Sequence, residues 1–566
     1  MDEKIVKFDN SIEMYRKLAD KHLLEEDFDG ALGLLFSALK KEPKNYKIIG
    51  DIADVYTDMG LYELSNKYWF LYLNWSPKDK RSIAYEELAI NFFYMENLLV
   101  SSYYFNLKIS EDGFISHEKI GEEMSEFFFN KIDSREFYHI AYPFEQADYS
   151  SRHKLAKKAL ATTNFKLAKK LYKDIPTECR TEEIDGEYAI TNLMLEDIDA
   201  VIEIAKDSLR KNGDNVTAYC NLCSAYKEKG DLEKSQYYYH KALSSRKNTQ
   251  NEVYQLATCS IDLGDDKVAN ECLKEVLKDR PKDTVMRLFY AISFMNLLEY
   301  EKASEQLKLI IKIDPTDSVC KFYLDYVNKI ISNGNDIDKL LPLEYRKGYP
   351  EKIERRYKRE IKKLIDSPSE LLSKKKGVEN LIDLLFWGVK YGGEKIGKKC
   401  VYLITLFGSN KVMDRLKDCL LDPEIQNETK GGSIYALILN GCRQKLGIVA
   451  NNIYINLKPK KLIAEGKQEE GLFVPAYAMA VAKMIFSGVL DFDKLGDISD
   501  QLYRERLDEI IKNELIIEEL SALIVLSARY KHVKDNSDIF EIYGIEKDRE
   551  KIIESLIIGD IDNEDN

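Results

Sequence analysis

The chain has 566 residues, of which 45% are hydrophobic, so it holds more apolar material than one compact core usually contains. Its 97 acidic and 84 basic residues give a net charge of -13, and such a surface repels phosphate polymers unless a local basic patch offsets it. The 12 prolines and 28 glycines are few for this length, which favours long helices over frequent tight turns.

The N-terminal residues do not form the apolar stretch of a signal peptide, and nine cysteines in so large a chain indicate reduced thiols. The longest nearly continuous apolar run, residues 472–490, contains Pro475 and Lys483. Its alternating alanines indicate a closely packed helix rather than a membrane span. We therefore expect a cytoplasmic protein that makes no contact with a membrane.

Residues 1–108 carry weak copies of a helix pair in which small residues recur. The first copy, residues 12–44, has alanines at regular positions, among them Ala31, and ends near Pro43. Two further copies follow it. Residues 109–148 are acidic and aromatic and lack these positions, so we predict an irregular insertion or linker there.

The best-defined repeats lie in the next block, residues 149–335. Three consecutive segments begin at Val216, Gln250 and Thr284, so 34 residues separate each start from the next. The eighth position of each segment is small, and so is the twentieth, which lets two antiparallel helices approach closely. The residues that define the repeat are Tyr226, Gly230, Ala257, Gly264, Ala269, Pro281, Ala291, Ala303 and Pro315.

These residue types at this period resemble the tetratricopeptide repeat. The resemblance implies an all-α superhelical solenoid and a groove, lined by the first helix of each pair, that binds a protein or peptide. A weaker copy from about Thr181 keeps Ala200 and Ile204, and a helix from Ser318 to Ile331 is expected to cap the array.

Groove positions are expected at residues two, five, nine, twelve and thirteen of each first helix. Family members that hold acidic C-termini place a clamp of basic and amide side chains there, and that clamp is absent from these three repeats. The last repeat instead carries an apolar stripe that we expect to be covered by chain beyond Ser318 or by a partner. The predicted groove residues are Val285, Leu288, Ile292 and Met295 on that stripe, and Tyr254 and Ile261 on the preceding repeat.

Residues 340–447 are predicted to be helical. The sequence from Leu416 to Leu439 reads as an apolar helix, an Asp-Pro turn and a second helix, and it resembles a HEAT-type repeat. Residues 392–399 nearly match a P-loop, but Lys399 stands where the Mg²⁺-binding Ser or Thr belongs. We expect a turn between two helices there, so a nucleotide-dependent enzyme is the least favoured hypothesis.

Residues 448–558 are predicted to be a helical domain that opens with a small hairpin at Ile448 to Leu457. The sequence from Leu520 to Leu556 weakly resembles the final helices of cyclin-box proteins joined to a helix-turn-helix, with Gly544 in the turn. Basic and acidic residues alternate in its last helix, which leaves little net charge for phosphates. An acidic tail, 559–566, ends the chain.

The sequence predicts neither catalytic residues nor a metal site. Cys220 and Cys223 form a CxxC, but zinc would need a second ligand pair, and the place of Cys223 in the repeat favours a packing role. The six histidines are scattered. We therefore predict a non-catalytic interaction scaffold without a cofactor, whose partner is a protein or peptide rather than nucleic acid. The alternative is a transcriptional or signalling regulator that uses the helix-turn-helix and senses through its repeats.

Overall fold

A computed structural model describes residues 11–108, 153–333, 342–366, 378–457, 472–480, 492–528 and 536–558, with short gaps inside these ranges. The described residues are mainly α-helical, which confirms the predicted all-α fold. Contacts group the chain into two compact units. One consists of residues 1–144 and 355–566, and the other of residues 145–354.

The N-terminal part of the first unit is a row of helix pairs. Ser11, Asp27 and Asn45 each accept a hydrogen bond from a backbone N–H of the first turn that follows, which fixes where three of these helices begin. Ala31 is fully buried, as its place in the predicted repeat requires. The helices are α1 (Ile12–Leu24), α2 (Phe28–Lys41), α3 (Tyr46–Asp58), α4 (Tyr62–Trp75) and α5 (Arg81–Tyr94). The predicted insertion, 109–148, lies outside the described residues.

The second unit contains the best-defined repeats, and each of the three begins at its predicted residue. The alanines of the eighth and twentieth positions are buried, and Gly230 and Gly264 adopt left-handed backbone angles (φ +77° and +74°) in the turns between helices. The helices are α6 (Phe165–Lys173), α7 (Glu182–Met194), α8 (Ile198–Lys211), α9 (Val216–Glu228), α10 (Leu232–Ser244), α11 (Gln250–Leu263), α12 (Asp266–Asp279), α13 (Thr284–Asn296), α14 (Tyr300–Ile313) and α15 (Ser318–Asn333).

The pair formed by α7 and α8 has a register one residue later than the sequence indicates. Val201 and Ala205 are buried in α8, whereas the predicted Ala200 and Ile204 are half-exposed. The pair therefore starts at Glu182, 34 residues before the next repeat. Valine at the twentieth position obscures the small-residue pattern in the sequence.

Helices also dominate the chain after residue 350. They are α16 (Glu351–Asp366), α17 (Val378–Tyr391), α18 (Gly393–Thr405), α19 (Asn410–Leu421), α20 (Asn427–Leu439), α21 (Phe492–Lys512), α22 (Ile517–Ala528) and α23 (Lys547–Leu556). The helix, Asp-Pro turn and helix predicted from the sequence correspond to α19 and α20. Their assignment to the HEAT type stays a prediction, as do the boundaries of the predicted domains.

The predicted hairpin consists of β1 (Leu446–Ala450) and β2 (Ile453–Leu457), which pair antiparallel. It joins the C-terminal half to the N-terminal helix pairs. The Tyr104 hydroxyl donates to the carbonyl oxygen of Asn452 (3.0 Å) and accepts from the N–H of Tyr454 (2.9 Å). Gly447 of β1 lies so close to Asn74 that an added Cβ would come within 2.2 Å of its Oδ1, so a side chain does not fit there.

Candidate peptide-binding groove

The apolar stripe predicted on α13 is buried. Leu288, Ile292 and Met295 are 2%, 0% and 0% exposed, and Val285 is half-buried. Their spacing of three and four residues places them on one side of the helix. The chain that follows α15 returns to this helix and contacts it.

Asn296, the last residue of α13, holds the main chain of Leu343. Its Nδ2 donates to the Leu343 carbonyl oxygen (3.1 Å), and its Oδ1 accepts from the Leu343 N–H (2.8 Å). One carboxamide thus bonds both backbone groups of one residue, which requires that residue to be extended, as in a strand. Asn296 occupies the thirteenth position of its helix, a groove position that could have identified it from the sequence.

Tyr345 is the second contact with the repeats. Its hydroxyl donates to Oδ1 of Asp266 (2.5 Å), and its ring meets Phe289 edge-on at a centroid distance of 6.0 Å. Burial, together with the Asp266 carboxylate, raises the pKa of Tyr345, so the phenol stays protonated and keeps donating. Asp266 also accepts from Asn296 (2.9 Å), which ties the two contacts together.

The ring of Tyr345 packs against a core that three helices build. This core consists of Ala257, Leu273, Val276, Leu277 and Met286, and the predicted groove residues Tyr254, Ile261 and Val285 pack against the same core. The structure thus brings three of the six predicted groove residues to one cluster, with Tyr345 beside it. Tyr345 could not be identified from the sequence, because one tyrosine among 36 carries no signal of its own.

The C-terminal end of residues 342–350, here called the groove segment, is anchored on α15. The Tyr323 hydroxyl donates to the carbonyl oxygen of Gly348 (3.2 Å), and the Tyr349 hydroxyl donates to that of Ser318 (3.4 Å). Arg346 forms an ion pair with Glu354. The groove segment is therefore fixed at both ends.

The groove positions of the two preceding repeats carry three charged residues, Lys227, Glu228 and Asp262, and are otherwise neutral or apolar. The ammonium of Lys227 donates to the carbonyl oxygen of Asp262 (2.6 Å) and so is already bonded within the protein. Tyr254 and Ile261 remain half-exposed on α11. This surface offers apolar and aromatic contacts, and its two acidic residues repel an acidic peptide.

Comparison with solved structures finds helical repeat proteins at low sequence identity. No family model and no curated protein matches the chain. The thermophilic TPR protein TTC0263 of Thermus thermophilus is 18% identical, with 32% of this chain and 99% of that chain covered and a TM-score of 0.27. The TPR domain of P58(IPK) is 14% identical, with 58% and 99% covered and a TM-score of 0.24. Human IFIT1, solved as a dimer with PPP-AAAA, is 15% identical, with 77% and 88% covered and a TM-score of 0.26.

The fold of the pairs follows from the chain itself. Helices start at the 34-residue period, small residues lie buried at both contact positions, and a residue with a left-handed backbone angle, Gly230, Gly264 or Leu298, lies in each turn. These pairs are tetratricopeptide repeats. The first helix of each pair is called helix A, and it carries the groove positions described above.

The sequence that resembles a P-loop forms no phosphate-binding loop. Residues 393–405 are α18, and helix α17 precedes them where a P-loop needs a strand. Gly393 adopts a left-handed angle (φ +76°) at the turn between the two helices, so only the start of the predicted turn, residues 392–399, is a turn and the rest is helix.

The helix-turn-helix alternative gains no support from the C-terminal helices. Gly544 does adopt a left-handed angle (φ +68°) before α23. However, the guanidinium of Arg549 donates to both carboxylate oxygens of Glu519 (2.6 and 2.8 Å) and to the carbonyl oxygen of Asn513 (2.9 Å). One of the three basic residues of α23 is therefore bonded inside the domain, and its two lysines alternate with acidic residues.

Among the described residues, one cluster could hold a metal ion. The ligand atoms of His153, Glu183 and Glu187 lie within 4.8 Å of one another. Glu187 already pairs with Nε2 of His153 (2.6 Å) and accepts from the Tyr172 hydroxyl (2.9 Å), while the Lys157 ammonium lies 3.5 Å from Glu183. These contacts satisfy the carboxylates without an ion, and the lysine opposes a cation.

The CxxC cysteines are packing residues in this structure. Cys220 and Cys223 are buried, and a hydrogen bond with Cys259, together with burial, raises the pKa of Cys223. A thiol that stays protonated is a poor metal ligand and a poor nucleophile.

Within the described part of the chain, no helix is both long and apolar enough to cross a membrane.

Proposed function

We propose that the chain is a non-catalytic cytoplasmic scaffold that binds an extended peptide segment of a protein partner on the helix A side of its repeats. The observation that carries this proposal is the hold that Asn296 has on the main chain of Leu343. Peptide grooves obtain affinity from main-chain hydrogen bonds and specificity from pockets for side chains. Both elements are present at the last repeat.

The chemistry of the groove selects the kind of peptide. A groove for acidic C-termini needs free cations to clamp carboxylates, whereas Lys227 is bonded to a carbonyl oxygen and its charged neighbours, Glu228 and Asp262, are acidic. Tyr254 and Ile261 on α11 present apolar surface beside the occupied last repeat. A partner peptide with apolar and aromatic side chains fits this surface better than an acidic one.

Selection from a displayed peptide library on the purified full-length chain tests the proposal. We expect enrichment of apolar and aromatic sequences on the wild-type chain and loss of that enrichment in Ile261→Glu, which places a charge in the groove. Leu232→Glu is the matched control, because Leu232 begins the second helix of a repeat and is 62% exposed. Equal enrichment on both variants, or no enrichment on the wild type, would contradict the proposal.

A further inference from the structure

The last repeat already contains a peptide, and that peptide belongs to the chain itself. The groove segment contacts α13 through one main-chain pair, at the extended residue Leu343, and one aromatic side chain, Tyr345. Residues 334–341 connect it to the end of α15. It therefore stands where a bound partner peptide would stand.

We infer that the groove segment is a built-in ligand, and that the partner which displaces it carries the same element: an apolar residue, any residue, then tyrosine. This inference rests on the proposed function, because it names the peptide class that the same groove accepts. Two recognition steps define the element, and each depends on a different group.

The first step reads the main chain. The Asn296 carboxamide bonds the N–H and the carbonyl oxygen of one extended residue, and Leu343, whose backbone it holds, is 4% exposed. Proline at this position of a partner would lack the N–H and lose half of the pair. A polar side chain there would be buried without a partner of its own.

The second step reads the tyrosine. The ring lies against Phe289, and the hydroxyl donates to the Asp266 carboxylate, so phenylalanine would leave that carboxylate one donor short. A phosphotyrosine would bring a doubly charged group against the same carboxylate, and like charges at this distance repel. The site therefore selects unmodified tyrosine.

Tethering explains why a free partner must compete. A segment joined by a short linker is present at its own site at an effective concentration of about a millimolar. If a free peptide binds the open groove with a Kd of about 10–100 μM, the tethered copy weakens that binding by about 10- to 100-fold. Disabling the groove segment should restore the full affinity.

A labelled peptide of residues 340–350 (LLPLEYRKGYP), titrated against full-length proteins by fluorescence anisotropy, tests the inference. The opened variant carries Leu343→Ser and Tyr345→Ala. We expect it to bind the peptide at least 10-fold more tightly than the wild type, because the tethered groove segment no longer competes with the peptide. Adding Asn296→Ala should abolish the binding, whereas the control Gln236→Ala, at an exposed glutamine of the second helix α10, should leave it unchanged. The peptide phosphorylated on the tyrosine that corresponds to Tyr345 should not bind.

Tyr345→Phe removes a single hydroxyl, and it replaces the opened variant in the same titration if the opened variant does not fold. It should bind the peptide more tightly than the wild type, but less tightly than a fully opened groove. Equal affinity of the wild type and both variants would overturn the inference, and so would binding that persists after Asn296→Ala. Light scattering that shows dimers exchanging the groove segment, in place of peptide binding, would also overturn it. Such failures leave the proposed function standing, because the library selection measures binding at Ile261 independently.

Discussion

Lys430 of α20 provides the sharpest test of the packing in the first unit. It is 1% exposed, and its ammonium donates to the carbonyl oxygen of Val449 in β1 (2.5 Å). The nearby Asp422 carboxylate accepts from Lys390 (2.8 Å). Burial lowers the pKa of Lys430 from 10.5 to about 8, and the negative charge of Asp422 offsets only part of this effect.

The lowered pKa corresponds to a cost in stability with a definite pH dependence. Below about pH 8 the lysine is protonated in both the folded and the unfolded chain, so the folded state bears the full cost of about 3 kcal/mol. Between about 8 and 10.5 the folded chain loses the proton while the unfolded chain keeps it, so the stability rises with pH. Acid and neutral conditions are therefore the unfavourable side for this residue.

Lys430→Met removes the charge but keeps much of the side-chain volume. The variant avoids the desolvation cost of the buried ammonium, which stabilises it by about 3 kcal/mol. It also leaves the Val449 carbonyl oxygen without its donor, which destabilises it by about 1–3 kcal/mol. We therefore expect the variant to be as stable as the wild type, or more stable, at neutral pH. Between about pH 7 and about pH 9.5 the wild type should gain about 2 kcal/mol relative to the variant.

Urea unfolding followed by tryptophan fluorescence measures this difference. The three tryptophans, Trp69, Trp75 and Trp387, all belong to the first unit, so the signal reports the unit that contains Lys430. Lys395→Met, at an exposed lysine of α18, is the control for the loss of a positive charge and should show no such pH dependence. A stability difference between Lys430→Met and the wild type that stays constant with pH would refute the assignment of a buried, destabilised ammonium.

Three further predictions concern the repeats, the C-terminal helices and the absence of nucleotide chemistry. Ala269→Leu should overpack the helix contact and cost about 1–3 kcal/mol, whereas Lys274→Leu at an exposed site of the same helix should change stability by less than about 0.5 kcal/mol; equal melting temperatures of the two variants would show the repeat register to be wrong. Arg549→Ala should cost about 2–4 kcal/mol in urea unfolding near neutral pH by leaving the Glu519 carboxylate buried without its partner. Burial raises the pKa of Glu519, but hydrogen bonds from Arg549 and a backbone N–H outweigh it and leave the pKa below 4.5, so this cost should shrink as the pH falls through that lowered value; a cost that does not depend on pH would argue against the pair. Calorimetry should detect no ATP-Mg²⁺ binding, and micromolar binding lost in Lys398→Ala would contradict a non-catalytic scaffold.

The sequence by itself determined the repeats, because each repeat repeats the same local requirement. A small residue must stand wherever two helices of a pair touch, so Ala257 and Ala291 recur 34 residues apart and reveal the period. Where a larger residue occupies that position, as Val201 does, the register predicted from the sequence is wrong by one residue. The apolar stripe on α13 was visible for the same reason, since a helical spacing places its members on one face.

The tertiary structure alone decided what lies against those faces. Asn296 bonds Leu343 across 47 residues, and Tyr104 bonds Tyr454 across 350, and neither pair has a spacing that a periodic pattern can reveal. Lys430 looks like an ordinary helix lysine in the sequence, and only the packing of β1 over its end makes it a buried cation. Contacts between distant segments depend on where the folded chain brings its backbone groups. Residue types predict such contacts weakly, because a polar residue that another segment buries has the same sequence signal as a polar residue that stays exposed.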